Sequence, residues 1–251
     1  MSVDERMVHD IVQKVMANMQ ISGSVSGMHG VFKDMNDAIN ASIEAQKKVC
    51  TMTLDQREQI ISLIRKKTHE NAEILANMGV NETGMGNVGD KILKHHLTAD
   101  KVPGTEDIST IAWSGDRGLT LVEMGPFGVI GAITPATNPS ETVICNCIGM
   151  LAGGNTVVFN PHPNAKKTTI YTINMINEAS IEAGGPDNIA VTVEAPTLDT
   201  SAIMMKHPSI HLLVATGGPG VVTAVLSSGK RAIGAGAGNP PVLVCLLYTS
   251  P

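Results

Sequence analysis

The sequence contains few aromatic residues, few cysteines and no long apolar run. Phe, Tyr and Trp together make up 2% of its 251 residues, so aliphatic side chains and the 14 methionines must fill the core. The cysteines have unrelated spacings, which argues against a disulfide framework or a zinc site: Cys50, Cys145, Cys147 and Cys245. No apolar segment approaches the roughly 20 residues that a membrane-spanning helix requires, so we expect no membrane association.

Strong charge of either sign is also missing. The formal net charge is -5, and no basic stripe with interleaved aromatic residues indicates a nucleic-acid partner. The histidines lack a third ligand at a suitable spacing, so we expect no metal site. Asp4, Glu5 and Arg6 near the N-terminus are unlike a secretory signal. These absences favour a cytoplasmic protein in a reducing compartment.

Residues 1–20 form a segment with its own pattern. Apolar side chains recur every four residues and predict an amphipathic helix: Val3, Met7, Ile11, Val15 and Met19. Residues 21–30 are rich in Gly and Ser and predict a flexible linker. Two interpretations stay open at this point. The helix docks into a partner's groove, or it packs on its own domain or on a sister subunit.

Residues 31–127 predict N-terminal helices followed by the first bridging strands. Helical apolar spacing extends over Asp34–Cys50 and Leu54–Met78, and a further helix is expected over Lys91–Ala99. The segment Glu82–Gly86 predicts a turn before that third helix. Alternating residues in Asp116–Gly125 predict a strand.

Between residues 128 and 244, apolar strands alternate with helices. Continuous apolar strands separated by helices indicate a parallel sheet that is covered on both faces. Right-handed crossovers then give an α/β fold with a doubly wound, Rossmann-like nucleotide-binding domain. The predicted strands are Val129–Ile133, Thr156–Asn160, Ile189–Val193, His211–Ala215 and Arg231–Ile233, and the predicted helices are Ser140–Leu151, Ala165–Ala183, Thr197–Lys206 and Pro219–Ser228.

The segment Gly128–Pro139 carries the strongest indication of a ligand site. An apolar strand ends in a loop, and a helix opens after Pro139 with Ser140 as its expected N-cap. This arrangement places Asn138 and several backbone N–H groups at the carboxyl end of the sheet. Open α/β sheets bind their ligands at that end.

Two glycine-rich segments could approach the same ligand. Leu212–Gly220 leads from a strand through glycines into a helix with Pro219 at its first position. It is either a pyrophosphate site at a helix N-terminus or an ordinary strand–helix turn. Gly234–Pro241 is not a dinucleotide fingerprint, because two prolines forbid a following helix. We expect it to be a loop that approaches a ligand closely.

The segment after the second strand and two cysteines are further candidates. His162, Lys166 and Lys167 could meet a ribose or a phosphate, although a solvated helix start also explains them. Cys145 and Cys147 lie two residues apart inside a predicted helix and face different ways. Buried, inert thiols explain them better than a nucleophile does.

Together these segments resemble the aldehyde dehydrogenase superfamily, and within it the CoA-acylating aldehyde dehydrogenases of catabolic microcompartments. The resemblance implies NAD-dependent oxidation of propionaldehyde or acetaldehyde to an acyl-CoA, with NAD and coenzyme A as cofactors. It also implies that residues 1–19 dock to a microcompartment shell or cargo protein, and that the full-length protein is a homo-oligomer inside a bacterial microcompartment. The segments that carry the resemblance are Glu82–Gly86, Gly128–Pro139, Asn160–Pro163 with Lys166 and Lys167, Ala183–Asn188, Val214–Gly218 and Gly234–Pro241.

The resemblance implies roles for individual residues. Asn138 matches the asparagine that donates a hydrogen bond to the developing oxyanion. Hydrolytic relatives carry a glutamate in the loop that corresponds to residues 234–238, and its absence here is consistent with acyl transfer to CoA. The residues expected to contact the nucleotide are Thr134, Pro135, Ala136, Thr137, His162, Pro163, Lys166, Thr216, Gly217, Gly218 and Gly236.

The chain also departs from the family. The family's nucleophilic cysteine lies beyond Pro241, none of the four cysteines matches it, and residues 245–251 form a non-family tail. We therefore expect a truncated aldehyde dehydrogenase fold that is inactive by itself. The chain is then either the N-terminal half of a CoA-acylating aldehyde dehydrogenase or a non-catalytic nucleotide-binding and docking fragment. A third hypothesis is an unrelated Rossmann-like binding protein.

Overall fold

The computed structural model describes residues 27–236, 238 and 241–242. The helix predicted for residues 1–20, most of the linker predicted for residues 21–30 and the tail at residues 245–251 lie outside the described residues. No helix in the described part of the chain is long and apolar enough to cross a membrane.

The described residues form strands and helices that alternate over most of the chain. The strands are β1 (Val31–Phe32), β2 (Ile111–Gly115), β3 (Gly118–Val122), β4 (Val129–Thr134), β5 (Thr156–Pro161), β6 (Ala190–Val193), β7 (Ile210–Thr216) and β8 (Arg231–Ala235). The helices are α1 (Met35–Val49), α2 (Leu54–Glu70), α3 (Ala72–Thr83), α4 (Val88–Lys101), α5 (Pro139–Ala152), α6 (Lys166–Glu182), α7 (Leu198–Lys206) and α8 (Pro219–Leu226).

Six of the described strands form one sheet in the order β1-β6-β5-β4-β7-β8. Every neighbouring pair in this sheet is parallel. The chain moves from β4 through β5 to β6 on one side, and then returns to place β7 and β8 on the other side of β4. This reversal is typical of doubly wound α/β domains, and the predicted fold class is confirmed.

Each face of the sheet carries its own buried core, because successive residues of a strand point to opposite sides. Val157 and Phe159 of β5 belong to a core that includes buried side chains of α2, α5 and α6. Val158, which lies between them, belongs to a second core with buried side chains of α1, α7 and α8. The helices therefore cover both faces, as the continuous apolar strands predict.

The single helix predicted over Leu54–Met78 is wrong, because α2 and α3 meet there at Asn71. The Asn71 backbone leaves helical geometry, with φ -103° and ψ 6°. Its side-chain amide donates to the Lys67 carbonyl oxygen at 2.8 Å, and its Oδ1 accepts from the Tyr171 hydroxyl at 2.9 Å. These contacts stabilise the break, which the helical apolar spacing on either side does not reveal.

Two other boundaries differ from the sequence predictions. Glu82 and Thr83 complete α3 instead of forming a turn, and Gly84 ends that helix in the left-handed conformation, with φ 67°. Val31 and Phe32, which precede the first predicted helix, form the edge strand β1 beside β6. A two-residue strand has too little sequence for a periodic pattern to show.

A separate antiparallel hairpin connects the N-terminal helices to β4. The strand predicted within Asp116–Gly125 corresponds to β3. Its antiparallel partner β2 is a bridging strand for which the sequence pattern gives no bounds. Every residue of both strands is exposed. The hairpin therefore presents large uncovered apolar side chains, namely Ile111, Trp113, Leu119, Leu121 and Val122.

Candidate functional site

A cavity of about 740 Å³ opens at the carboxyl ends of β4, β5 and β7. These strands meet where the strand order reverses, which is the position at which open α/β sheets bind ligands. Except for Lys166 and Lys167, the site residues predicted from the sequence line this cavity: Thr134, Pro135, Ala136, Thr137, Asn138, His162, Pro163, Thr216, Gly217, Gly218 and Gly236.

Thr134 ends β4 and begins the loop on one side of the cavity. Its hydroxyl is buried and has no hydrogen-bond partner within the described structure. Buried polar groups of native proteins are almost always paired. A polar group of a ligand in the cavity would satisfy this requirement.

The prediction of Ser140 as the N-cap of α5 is wrong. The helix begins at Pro139, and Asn138 is the N-cap, although the Asn138 side chain makes no capping hydrogen bond. Instead, Asn138 Oδ1 accepts from Lys94 Nζ at 3.3 Å. Because an ammonium group can only donate, this contact assigns the oxygen end of the amide and leaves Nδ2 available as a donor. Ser140 is buried, and its hydroxyl lies 2.7 Å from His95 Nε2.

Gly217 and Gly218 connect β7 to α8 at another side of the cavity. Gly218 is the N-cap and Pro219 is the first helical residue, as the sequence predicts. Pro219 has no N–H, and the N–H groups of Gly217, Val221 and Val222 donate to backbone carbonyl oxygens. In the described structure, the donors left for an anion at this helix start are the N–H groups of Gly218 and Gly220. A Cβ placed on Gly218 would meet no heavy atom within 4 Å. The backbone at this turn is therefore accessible to a ligand of some size.

The glycine-rich loop predicted at Gly234–Pro241 begins later than expected. Gly234 belongs to β8, and a Cβ there would come within 2.6 Å of Val222 in α8. Gly236 and Gly238 line the cavity. Gly234 thus serves close packing between strand and helix, whereas the two later glycines lie at the candidate site.

The end of β5 brings one unpredicted polar residue to the cavity beside His162 and Pro163. Asn160 Nδ2 donates to Ser201 Oγ at 2.6 Å, and its Oδ1 accepts from the Thr200 hydroxyl at 2.7 Å. Both partners belong to α7. Asn160 therefore joins the central sheet to the helix that forms the opposite part of the cavity wall.

Lys166 lies outside the cavity, at the first position of α6. The N-terminus of that helix is occupied by the Glu82 carboxylate. Its two oxygens accept from the backbone N–H groups of Lys167 at 2.7 Å and Thr168 at 2.8 Å. Because a protein carboxylate already satisfies these donors, the structure favours a solvated helix start over a phosphate site at Lys166 and Lys167.

The sequence predictions missed most of the cavity wall that α7 and α8 provide. Apolar residues at helical spacing predict burial against the sheet, and they do not distinguish a cavity wall from the core. For Asn160 and Pro161, the one available signal was their place at the carboxyl end of a predicted strand, where open α/β sheets bind ligands. The lining residues that were not predicted are Ile133, Asn160, Pro161, Thr197, Leu198, Ser201, Met205, Val221, Ala224 and Gly238.

A sequence profile of the aldehyde dehydrogenase family matches residues 17–245. The chain belongs to the aldehyde dehydrogenase family. It is 46% identical over 250 residues to an acetylating acetaldehyde dehydrogenase of Bilophila wadsworthia, in an alignment that covers 96% of this chain and 51% of that relative. The chain spans about half the length of the curated relatives that it matches.

Two solved aldehyde dehydrogenases have the same fold over most of this chain. A propionaldehyde dehydrogenase from the Clostridium phytofermentans fucose utilisation bacterial microcompartment is 74% identical, with a TM-score of 0.84, over 85% of this chain and 49% of that one. The Rhodopseudomonas palustris propionaldehyde dehydrogenase with bound propionyl-CoA is 50% identical, with a TM-score of 0.82, over 84% of this chain and 47% of that one. The predicted family resemblance and fold are confirmed.

None of the three cysteines in the described part of the chain lines the cavity. Cys147 is fully buried in α5, and burial raises the pKa of its thiol far above the ordinary value. Burial also raises the pKa of the half-buried Cys145, whereas Cys50 is exposed at the end of α1. The thiolate is the nucleophilic form of cysteine. The structure thus supports the inert roles predicted for Cys145 and Cys147, and Cys245 lies outside the described residues.

Proposed function

We propose that this chain is the nucleotide-binding part of an enzyme that oxidises propionaldehyde or acetaldehyde to the acyl-CoA with NAD. The relatives support the reaction class, because one is an acetylating acetaldehyde dehydrogenase and another was solved with bound propionyl-CoA. In this proposal the complete reaction also uses residues that the relatives carry beyond the matched segment.

The observation that carries the proposal is the cavity at the reversal of the strand order. Its lining fits a dinucleotide in two respects. The Gly217-Gly218 turn offers space to a pyrophosphate, and the N–H groups of Gly218 and Gly220 at the N-terminus of α8 offer donors to it. The buried Thr134 hydroxyl offers a hydrogen-bonding group that no described protein atom satisfies. NAD bound in this cavity would supply the hydride acceptor.

Asn138 is the proposed oxyanion donor. Addition of a thiolate to an aldehyde converts the carbonyl oxygen into an alkoxide, and a fixed N–H donor near that oxygen stabilises the negative charge. Asn138 lines the cavity, and its Nδ2 group has no hydrogen-bond partner among the described residues. Its place at the N-terminus of α5 adds the favourable end of a helix dipole.

Coenzyme A is the proposed acyl acceptor. Residues 234–238 contain no acidic side chain that could activate water. A thioester that meets no general base is not readily hydrolysed and remains for attack by the CoA thiol. The bound propionyl-CoA of the Rhodopseudomonas palustris relative supports this assignment.

We assign the nucleophile to none of the four cysteines of this chain. The burial of Cys147 and the partial burial of Cys145 oppose thiolate formation, and Cys50 does not line the cavity. The same observation favours a second candidate function, a non-catalytic nucleotide-binding and docking fragment. The two candidates predict different activities once the rest of an aldehyde dehydrogenase is supplied.

NADH formation from propionaldehyde, NAD and CoA tests the proposal. We expect no turnover by the chain alone. We expect CoA-dependent turnover by a chimera in which the chain replaces its matched segment in the Clostridium phytofermentans enzyme. In that chimera Asn138→Ala should lower kcat by about 10²–10³-fold. Turnover by the chain alone would overturn the assignment of the nucleophile, and a folded but inactive chimera that binds NAD would favour the docking fragment.

We also propose that the protein assembles as a homo-oligomer inside a bacterial microcompartment, with residues 1–19 docking to a shell or cargo protein. The microcompartment origin of the Clostridium phytofermentans relative supports this location. The uncovered apolar side chains of the β2–β3 hairpin support self-association, because monomeric proteins rarely expose large apolar patches.

A further inference from the structure

Helix α4 presents three basic side chains to the turn that carries the proposed oxyanion donor. Lys91, Lys94 and His95 occupy positions i, i+3 and i+4, which lie on one face of a helix. Each of them contacts a different residue of the turn Thr137–Ser140. The turn is therefore held at three points by a helix that does not line the cavity.

Lys91 is a buried lysine of this helix whose side chain reaches the backbone of the turn. It is 3% exposed, and its Nζ donates to the Thr137 carbonyl oxygen at 3.0 Å. The same Nζ lies 3.4 Å from Glu141 Oε1, and Glu141 is 6% exposed. Because desolvation opposes burial of two charges, such a pair is weak evidence for stability alone. Its position against the turn suggests an orienting role.

His95 holds the other end of the turn. Its Nδ1 lies 2.7 Å from the Lys91 carbonyl oxygen, and its Nε2 lies 2.7 Å from Ser140 Oγ. Burial lowers the pKa of His95, so the ring is neutral at neutral pH. Nδ1 carries the proton because it faces a carbonyl, which only accepts, and Nε2 accepts from the Ser140 hydroxyl. The first turn of α5 is thereby tied to α4.

These contacts direct both N–H donors of Asn138. In a trans peptide the C=O and the N–H point in opposite directions, so the contact between Lys91 and the Thr137 carbonyl turns the Asn138 backbone N–H away from Lys91. In the Asn138 side chain, Lys94 contacts Oδ1, so Nδ2 lies on the other branch of the amide and faces away from Lys94. Neither donor has a hydrogen-bond partner among the described residues.

We propose that Lys91, held by Glu141, is a positioning residue that preorganises the turn Thr137–Ser140 for ligands of the cavity. The inference rests on the proposed function, because it assigns the rigidity of the turn to the binding of nucleotide and aldehyde. Without Lys91 the peptide between Thr137 and Asn138 can rotate, and a ligand must order it on binding. Lys91 itself touches no ligand in this account.

Fluorescence titration of NADH into the 251-residue chain and its variants tests the inference. Lys91→Met leaves Glu141 buried without its partner, and should lower both Tm and NADH affinity. Lys91→Met/Glu141→Leu removes both charges, which can keep Tm near that of the unchanged chain. We expect this double variant to bind NADH roughly tenfold more weakly, because the turn is no longer preorganised. Lys66→Met, from an exposed pair with Glu70, is the control and should bind NADH as the unchanged chain does.

Hydrogen exchange of the Thr137, Asn138 and Ser140 amides provides a second measurement, and it should be faster in the double variant. Lys91→Gln/Glu141→Gln applies the same test if the apolar pair fails to fold. Unchanged NADH affinity and unchanged exchange in a double variant with a Tm near that of the unchanged chain would overturn the positioning role alone. No NADH binding by the unchanged chain would overturn the proposed function and this inference with it.

Discussion

At the scale of single residues, burial determines which cysteines of this chain can react. Cys147 lies on α5, the helix that begins beside the cavity, but its side chain belongs to the core with Ile144 and Ile148. The apolar surroundings disfavour the charged thiolate, which is why the pKa of Cys147 is raised. Proximity in sequence to Asn138 therefore does not give this thiol a catalytic role.

Alkylation by iodoacetamide measures this difference between the cysteines. In the folded chain we expect Cys50 to react faster than Cys145, and Cys147 to react at least about 100-fold more slowly than Cys50, because only an accessible thiolate reacts. Burial raises the pKa of Cys147, so its thiol stays protonated and its labelling stays slow in mildly alkaline buffer. Mass spectrometry of the separated peptides reports each cysteine individually, and labelling in denaturant is the control. Fast labelling of Cys147 in the folded chain would contradict its burial.

At the scale of elements, the edge strand β1 depends on a glycine that precedes it. Gly30 has a φ of 76°, and its carbonyl oxygen accepts from the Thr192 backbone N–H at 2.8 Å. A Cβ at Gly30 would overlap the Asn177 amide and the Ala190 carbonyl oxygen. Close approach of the chain to α6 and β6 therefore requires glycine here.

Comparing Gly30→Ala with Gly84→Ala separates steric overlap from backbone strain. Gly84 also has a positive φ, 67°, but a Cβ there would meet nothing within 4 Å. We expect Gly84→Ala to cost about 1 kcal/mol through the left-handed conformation alone. Gly30→Ala should cost roughly 3 kcal/mol or more, because it adds a clash inside a packed region. Urea denaturation measures both, and equal losses of stability would show that β1 does not need the close approach.

The elements also show how far the sequence can predict the structure. The helices and strands from residue 128 onward follow from uninterrupted apolar runs and from Gly and Pro at their ends. The break at Asn71 was not predictable, because a side-chain hydrogen bond to Tyr171, distant in sequence, stabilises it. The contact between Lys91 and Glu141 leaves no periodic signal either, because the two residues lie 50 positions apart and meet only when α4 packs on α5.

At the scale of the whole molecule, strand order places the candidate site. Loops after β4, β5 and β7 are far apart in sequence, yet the parallel sheet brings their ends to one cavity. Loop sequences could therefore predict the residues on the sheet side of the cavity. The wall formed by α7 and α8 could not be predicted, because Met205, Val221 and Ala224 have the pattern of ordinary core residues.

The central claim is that this cavity binds NAD, and isothermal titration of NAD into the 251-residue chain tests it most directly. We expect saturable binding to one site. Gly218→Val should weaken this binding at least about tenfold without lowering Tm, because it adds bulk at a residue that lines the cavity and its Cβ would meet no protein atom. Gly149→Ala, at an exposed glycine outside the cavity lining, should leave the affinity unchanged. Absence of NAD binding by the folded chain, or equal affinity in Gly218→Val, would contradict the account.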